Sequence, residues 1–274
     1  MSRAALLREI AGRLAAAGIP DPQADARRLL AHALGVEPDR LSLADDPPDA
    51  AQGAVLDAAV AARLLRQPVS QITGGRAFWR HRFAVTRDTL DPRPETETLV
   101  AAALDLPWRS VLDLGTGTGA ILLSLLAERP GTRGLGVDLS PAAVAVARGN
   151  AARLGIAAEF AVSDWFSGVG GRFDLIVSNP PYIAAHEMAA LSPEVRDWEP
   201  RAALTDGGDG LAAYRAIVAG APAHLAPGGW LAVEIGPTQA AAVSALFVQA
   251  GLAGPVVRAD LDGRDRVVLA QIGG

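Results

Sequence analysis

The spacing of apolar residues changes twice along this chain, and the changes divide it into parts of different architecture. Leu6, Leu7, Ile10 and Leu14 recur at helical spacing, and Leu29, Leu30 and Leu34 resume it after Asp21-Pro22, an N-cap followed by proline at the first helical position. A third helix is predicted over residues 50–66, so the stretch 3–66 reads as a small helical bundle. From Ile72 to Val85 aromatic and β-branched residues broken by Gly74-Gly75 predict a short hairpin. Asp91-Pro92-Arg93-Pro94-Glu95 then interrupts regular structure, and Pro94-Glu95-Thr96-Glu97 has the proline and first-turn acids of a helix start. The expected organisation is a helical recognition domain over 1–70, a hairpin and linker over 71–94, and a larger domain over 95–274.

After Ser110 strand and helix patterns alternate. Strands are predicted at Val111–Leu114, Gly134–Asp138, Glu159–Val162 and Phe173–Ser178, with helices to Arg129 and over Pro141–Leu154 between them. Beyond a long loop come a helix at 209–224, a strand at 230–235, a helix at 238–250 and two further strands, Pro255–Arg258 and Arg266–Gln271. Such alternation implies an α/β fold with a mostly parallel, Rossmann-like sheet covered by helices on both faces.

Composition narrows the chemistry. With 50% hydrophobic and 20% charged residues the chain of 274 is globular rather than disordered. Its 25 cationic residues, all Arg, stand against 30 acids, and the net charge of −5 argues against broad binding to a phosphate backbone. Up to residue 75 the balance is eight Arg against nine acids, so no stable nucleic-acid partner is expected there either. Without cysteine, thiolate catalysis, thiolate metal sites and disulfides are excluded. The N-terminus lacks a continuous apolar core and no later stretch is long enough to span a membrane, so the expected compartment is the cytoplasm.

Asp113-Leu114-Gly115-Thr116-Gly117-Thr118-Gly119 follows an apolar strand and opens a helix, so its glycines allow a sharp turn and a close approach to a ligand. About 20 residues on, Asp138 ends the next strand, where a carboxylate can accept the hydroxyl hydrogens of a ribose. A dinucleotide fingerprint has G-x-G-x-x-G, whereas here the glycines fall as G-x-G-x-G behind an acid, Asp113, that suits a zwitterionic amino-acid moiety. Ser163-Asp164-Trp165 closes the third strand, and an acid followed by an aromatic there suits an adenine. A glycine turn, a helix-capping Asp138 and a half-buried Trp165 are the plainer alternatives.

The strand Asp174–Ser178 runs straight into Asn179-Pro180-Pro181-Tyr182, at the edge where open α/β sheets place ligands. Two prolines fix φ and remove two donors, which leaves a stiff loop rich in acceptors. An NH₂ attached to a carbonyl or an aromatic ring has a delocalised lone pair. To be methylated, its nitrogen must be held with that lone pair aimed at a sulfonium methyl such as that of S-adenosyl-L-methionine. The Asn179 side-chain oxygen and the Pro180 carbonyl can accept its two N–H bonds, and Tyr182 can pack on the planar group. No metal is required. The tetrapeptide thus points to a planar amide or amine nitrogen without saying which.

Together these residues resemble the protein-(glutamine-N5) methyltransferases of the HemK type. The likeness spans nearly the whole chain and includes Asp91-Pro92-Arg93-Pro94-Glu95-Thr96-Glu97, the glycine loop, Asn179-Pro180-Pro181-Tyr182-Ile183, Trp198-Glu199-Pro200-Arg201 and Asp206-Gly207-Gly208-Asp209-Gly210-Leu211. Asp91 departs from it, standing where the family usually has an aliphatic residue. The resemblance implies a class I methyltransferase domain that transfers methyl from S-adenosyl-L-methionine to the glutamine of the Gly-Gly-Gln motif in peptide-chain release factors. It places Gly115, Thr116, Gly117, Thr118, Gly119, Asp138, Trp165 and Asn179 at the cofactor, Asn179, Pro180, Pro181 and Tyr182 at the glutamine, and Arg93 and Glu95 at the substrate mouth. A ribosomal-protein glutamine, DNA adenine N6 and RNA guanine N2 remain alternative targets, because an extruded base offers the same planar NH₂. Five arginines, at 76, 80, 82, 87 and 93, suggest either a partner surface or a solvated hairpin face.

Overall fold

A computed structural model describes residues 2–42 and 46–273. Its elements, in chain order, are α1 (Arg3–Ala16), α2 (Pro22–Leu34), α3 (Ala50–Leu64), α4 (Val69–Ile72), β1 (Arg76–Phe78), β2 (His81–Phe83), α5 (Glu97–Leu104), β3 (Ser110–Leu114), α6 (Ala120–Glu128), β4 (Arg133–Asp138) and α7 (Pro141–Leu154). There follow β5 (Glu159–Val162), β6 (Phe173–Ser178), α8 (Pro193–Trp198), α9 (Arg201–Leu204), α10 (Ala212–His224), β7 (Leu225–Glu234), α11 (Ala240–Gln249), β8 (Leu252–Ala259) and β9 (Asp265–Ile272). The chain divides into two compact units, Met1–Gly75 with Ser192–Trp198, and Arg76–Leu191 with Glu199–Gly274. No helix among the described residues is long and apolar enough to cross a membrane.

The first unit is helical. Asp21 stands at the N-cap of α2 without a side-chain cap bond, with Pro22 beginning the helix, whereas Asp49 and Gln52 close a reciprocal capping box at the start of α3. Leu14, Leu29, Leu30, Leu56 and Val60 fill its core. One ion-pair chain runs through it: the buried Arg63 guanidinium meets Asp25 at 2.8 Å and Glu194 at 2.9 Å, and Arg66 takes the other Glu194 oxygen at 2.9 Å. Trp198 Nε1 donates to the Leu65 carbonyl and Gln71 donates to the Trp198 carbonyl. These bonds draw residues 192–198 into the helical unit.

The second unit carries a seven-stranded sheet in the order β5-β4-β3-β6-β7-β9-β8. Pairs from β5 through β7 are parallel, while β9 is antiparallel to both β7 and β8. One core, with Leu99, Leu122, Val144 and Leu175, and another, with Leu112, Ile176, Tyr214, Val233 and Phe247, account for the apolar runs of β3 and β6, buried on both faces. The strand order turns back at β3, because β4 and β5 lie to one side of it and β6 to the other. That switch point is where an open α/β sheet parts its connecting loops.

Replacing Arg63 by Leu leaves Asp25 and Glu194 without their shared cation. Removing one partner of a buried ion pair costs about 3–5 kcal/mol, so R63L is expected to lower the unfolding free energy of the helical unit by that order. Chemical denaturation followed by circular dichroism checks this; an unchanged midpoint contradicts the role given to Arg63.

Candidate active site

The ends of four parallel strands surround a cavity of about 500 Å³. Its wall includes Gly115–Thr118 after β3, Asp138–Ser140 after β4, Ser163–Trp165 after β5, and Asn179 and Pro181 after β6. The segment 87–93, Thr96, Pro200, Ala202 and Ala203 complete much of the remainder. The volume lies within the range of small-molecule sites, roughly 300–1,000 Å³.

The glycine loop folds as its sequence requires: Gly115, Gly117 and Gly119 have φ of +70°, +55° and +78°, a region that side chains with a Cβ rarely enter. Asp138 fastens this loop, one carboxylate oxygen accepting from Gly117 N and the other from Ser140 N, each at 2.9 Å. Each oxygen keeps a further lone pair for a ligand. Ser140 itself caps α7 through Ala143 N. Trp165 lines the cavity at φ +48°, with its carbonyl accepting from the Ser163 hydroxyl at 2.9 Å. A non-glycine residue in that region costs of order 1–3 kcal/mol, a cost that characteristically falls at ligand sites.

Ser178 ends β6 by donating its hydroxyl to the Leu114 carbonyl at 2.7 Å, which ties the exits of β6 and β3 together. Asn179 follows directly. Its Nδ2 donates to Thr96 Oγ1 at 3.3 Å. The Thr96 hydroxyl also lies near the carboxylate of Glu234, a fully buried acid at the end of β7, though without a hydrogen bond of regular geometry to it. With its NH₂ turned to Thr96, the Asn179 amide directs Oδ1 away from it.

Not every expected residue stands on the wall. Asn179, Pro181 and Arg93 do; Gly119, Pro180, Tyr182 and Glu95 do not. Gly119 instead caps α6. Glu95 is exposed, and Pro180 is buried. Tyr182 packs against the second core, with its hydroxyl donating to Glu234 Oε1 at 3.4 Å. Arg93 reaches both oxygens of the buried Glu199 at 2.6 Å. Burial pushes Glu199 up from its ordinary value against the pull of Arg93, and the nearby Asp91 adds to the rise. The five arginines do not act as one face, since Arg80 pairs with Glu128 and Arg93 with Glu199, while the exposed Arg87 lines the cavity.

Several residues were not legible beforehand. Asn150 on α7 is fully buried and joins the cavity loop to the segment after β2, donating to the Thr118 and Ala84 carbonyls and accepting from Ala84 N. Glu234, Gln239 and the Glu199–Arg93 pair are single polar residues in otherwise apolar surroundings. The sequence signal of Glu234 and Gln239 was only an acid or amide at a strand or helix edge, whereas Arg93 and Glu199 stood within sequence motifs and only their pairing was hidden.

Asp113 is wholly buried and is held by the Thr116 hydroxyl at 2.7 Å, but it is not on the cavity wall. Burial raises it to about 7, and burial raises Glu234 likewise to about 7.

The fold is that of a class I methyltransferase. A methyltransferase from Pyrococcus furiosus shares it at a TM-score of 0.55 and 17% identity over 70% of this chain and 89% of that one. The Thermus thermophilus 16S rRNA N2 G1207 methyltransferase, solved with AdoMet and guanosine, does so at 0.52 and 21% identity, over 72% and 49%. Residues 84–198 match the Methyltransferase small domain family and residues 5–74 the PrmC N-terminal domain. The release factor glutamine methyltransferase of Cereibacter sphaeroides is 61% identical over 99% of both chains, and that of Rhodospirillum rubrum is 51% identical over 97% of this chain and 84% of its own. The chain belongs to the release factor glutamine methyltransferase family.

A carboxyl raised above its unfolded value binds its proton more tightly when folded. Its contribution to stability is therefore complete below the unfolded value near 4 and is lost as pH rises through about 7. The melting temperature is expected to fall between about pH 5 and pH 7.5 and to level off above it, and D113N should flatten the fall; a rise over that interval contradicts the assignment.

Proposed function

We propose that this chain transfers the methyl group of S-adenosyl-L-methionine to the side-chain amide nitrogen (N5) of the glutamine in the Gly-Gly-Gln motif of peptide-chain release factors. The observation that carries the reading is the Asn179 amide, turned by Thr96 so that its oxygen is directed away from the Thr96–Glu234 side, in the residue next to the Pro180 carbonyl. Two acceptors in consecutive residues suit the two N–H bonds of a primary amide. The 61% identity to a release factor glutamine methyltransferase supports glutamine over a nucleobase.

The residues fit the cofactor. A glycine loop with three left-handed φ values presents backbone N–H groups, Asp138 offers lone pairs to a ribose, and Asp164 with Trp165 suits an adenine. When bound, the cofactor supplies an electrophilic methyl on sulfonium sulfur. The chain's own residues do the rest. Asn179 Oδ1 and the Pro180 carbonyl accept the substrate N–H bonds, fix the plane of the amide and draw electron density onto its nitrogen. The strand exit after Ser178, pinned to β3 and stiffened by Pro180 and Pro181, keeps those acceptors from rotating away. The amide is cationic on nitrogen once methylated and strongly acidic, so it loses one N–H proton to water and no general base of matched pKa is needed.

The helical unit would hold the body of the release factor, and Arg93, fixed by Glu199, would shape the entrance. The reaction belongs in the cytoplasm, with translation termination.

Labelled cofactor offered with a release factor, a ribosomal protein and nucleic acid separates the targets: label is expected on the Gly-Gly-Gln glutamine, and label on either of the others with none there overturns the proposal. In N179A, kcat should fall by about 100-fold or more while cofactor affinity, measured by calorimetry, changes little. In D138A the lost charged hydrogen bonds, about 1.5–3 kcal/mol each, should instead weaken cofactor binding.

A further inference from the structure

Glu234 ends β7 and Gln239 closes the turn that follows, and both side chains reach Tyr182. Gln239 uses both ends of its amide: Nε2 donates to the Tyr182 carbonyl at 2.9 Å and to the Gly210 carbonyl at 3.3 Å, while Oε1 accepts from Gly236 N at 2.9 Å and lies 3.3 Å from the Tyr214 hydroxyl oxygen. A Cβ at Gly210 would come within 2.3 Å of the Tyr182 carbonyl, so that close approach requires glycine. At the other end of Tyr182 its hydroxyl donates to Glu234 Oε1. Tyr214 adds a hydroxyl bond to the Glu234 main-chain carbonyl at 2.8 Å. The residue after the two prolines is thus held at both its backbone and its ring.

We propose, resting on glutamine methylation as the reaction, that Glu234 is a positioning residue for methyl transfer: through Thr96 it sets which face of the Asn179 amide meets the substrate, and through Tyr182 it anchors the loop that presents Asn179 and Pro180. Gln239 supports it by fixing the Tyr182 carbonyl. Nothing in the chemistry of the transfer calls for a buried acid behind the loop, yet a carboxylate is kept there at 1% exposure. A buried carboxylate without a hydrogen-bonded cation is costly, and Arg266 acts on it only through charge, its guanidinium bonding Asp260 and the Ile235 carbonyl. Oε2 has no donor in regular geometry, so the Thr96 contact is a loose one.

Only an acceptor in this place orients Asn179 usefully. A neutral amide can turn its NH₂ toward Thr96, whose hydroxyl is then released to donate to Asn179 Oδ1. Asn179 would flip, presenting NH₂ to the substrate NH₂, and the two donors would face each other.

The test compares E234Q, T96V and T96S with the wild type, using a release factor substrate. E234Q and T96V should each lose roughly 10- to 100-fold in kcat, the scale of a misplaced reacting group, with KM for the release factor and calorimetric cofactor affinity changed less than about threefold. Because E234Q removes a buried charge, its melting temperature at pH 8 should hold or rise. T96S keeps the hydroxyl and should recover most of the rate. As a readout independent of turnover, Q239M should speed hydrogen exchange at the Gly236 amide, which loses its acceptor. Wild-type kcat in E234Q overturns the proposal, and so does a loss of rate in E234Q matched by a lower melting temperature and weaker cofactor binding, which assigns Glu234 to the fold alone. An inactive wild type would instead refute the reaction assigned above.

Discussion

Everything at the site depends on how the chain leaves β6. Ser178 is bonded to the end of β3, and the next three residues include two prolines, so the backbone exits the sheet along one path. That exit lies at the switch point of the sheet, beside the glycine loop from β3. A ligand seated across the ends of β3, β4 and β5 therefore meets Asn179 without any movement of secondary structure. Fixed φ and missing N–H groups cost the loop two hydrogen-bond donors of its own.

Around this exit the protein keeps an unusual amount of buried negative charge. Asp113 lies under the glycine loop, Glu199 is opposed by Arg93, and Glu234 stands behind Tyr182. Their environments differ. Glu199 has a guanidinium at 2.6 Å, whereas Asp113 and Glu234 have hydroxyl donors, yet burial outweighs these partners and raises all three to about 7. Electrostatic preorganisation of this sort is costly to the folded state and useful where dipoles must be oriented before the substrate arrives. The glycine loop, Asp138 and Trp165 form the comparable frame on the opposite wall of the cavity, with Asn150 bonded to the loop at Thr118.

Much of this was legible in the sequence, and the limits have physical causes. Strands buried on both faces appear as apolar runs, so β3 through β6 were located closely, as were the helices between them. β7 begins at Leu225 rather than 230 because Ala226-Pro227-Gly228-Gly229 reads as a turn, yet here it passes through an irregularity in the pairing with β6. The return of residues 192–198 to the helical unit was invisible, since it depends on Glu194 meeting Arg63 and Arg66, which are distant in sequence. At the site, Asn179, Asp138 and the glycines announce themselves through motif and position. Tyr182 was identified by type, but its direction is set by Glu234 and Gln239, and a contact between residues about fifty positions apart leaves no local pattern.

The central claim is that Asn179 Oδ1 and the Pro180 carbonyl together hold the substrate amide. A crystal structure with a Gly-Gly-Gln peptide and the demethylated cofactor addresses it directly. The account predicts the glutamine side-chain nitrogen within about 3 Å of both oxygens, with the Asn179 NH₂ still on Thr96. A glutamine nitrogen held by other groups, or an Asn179 amide turned with its oxygen on Thr96, would contradict it.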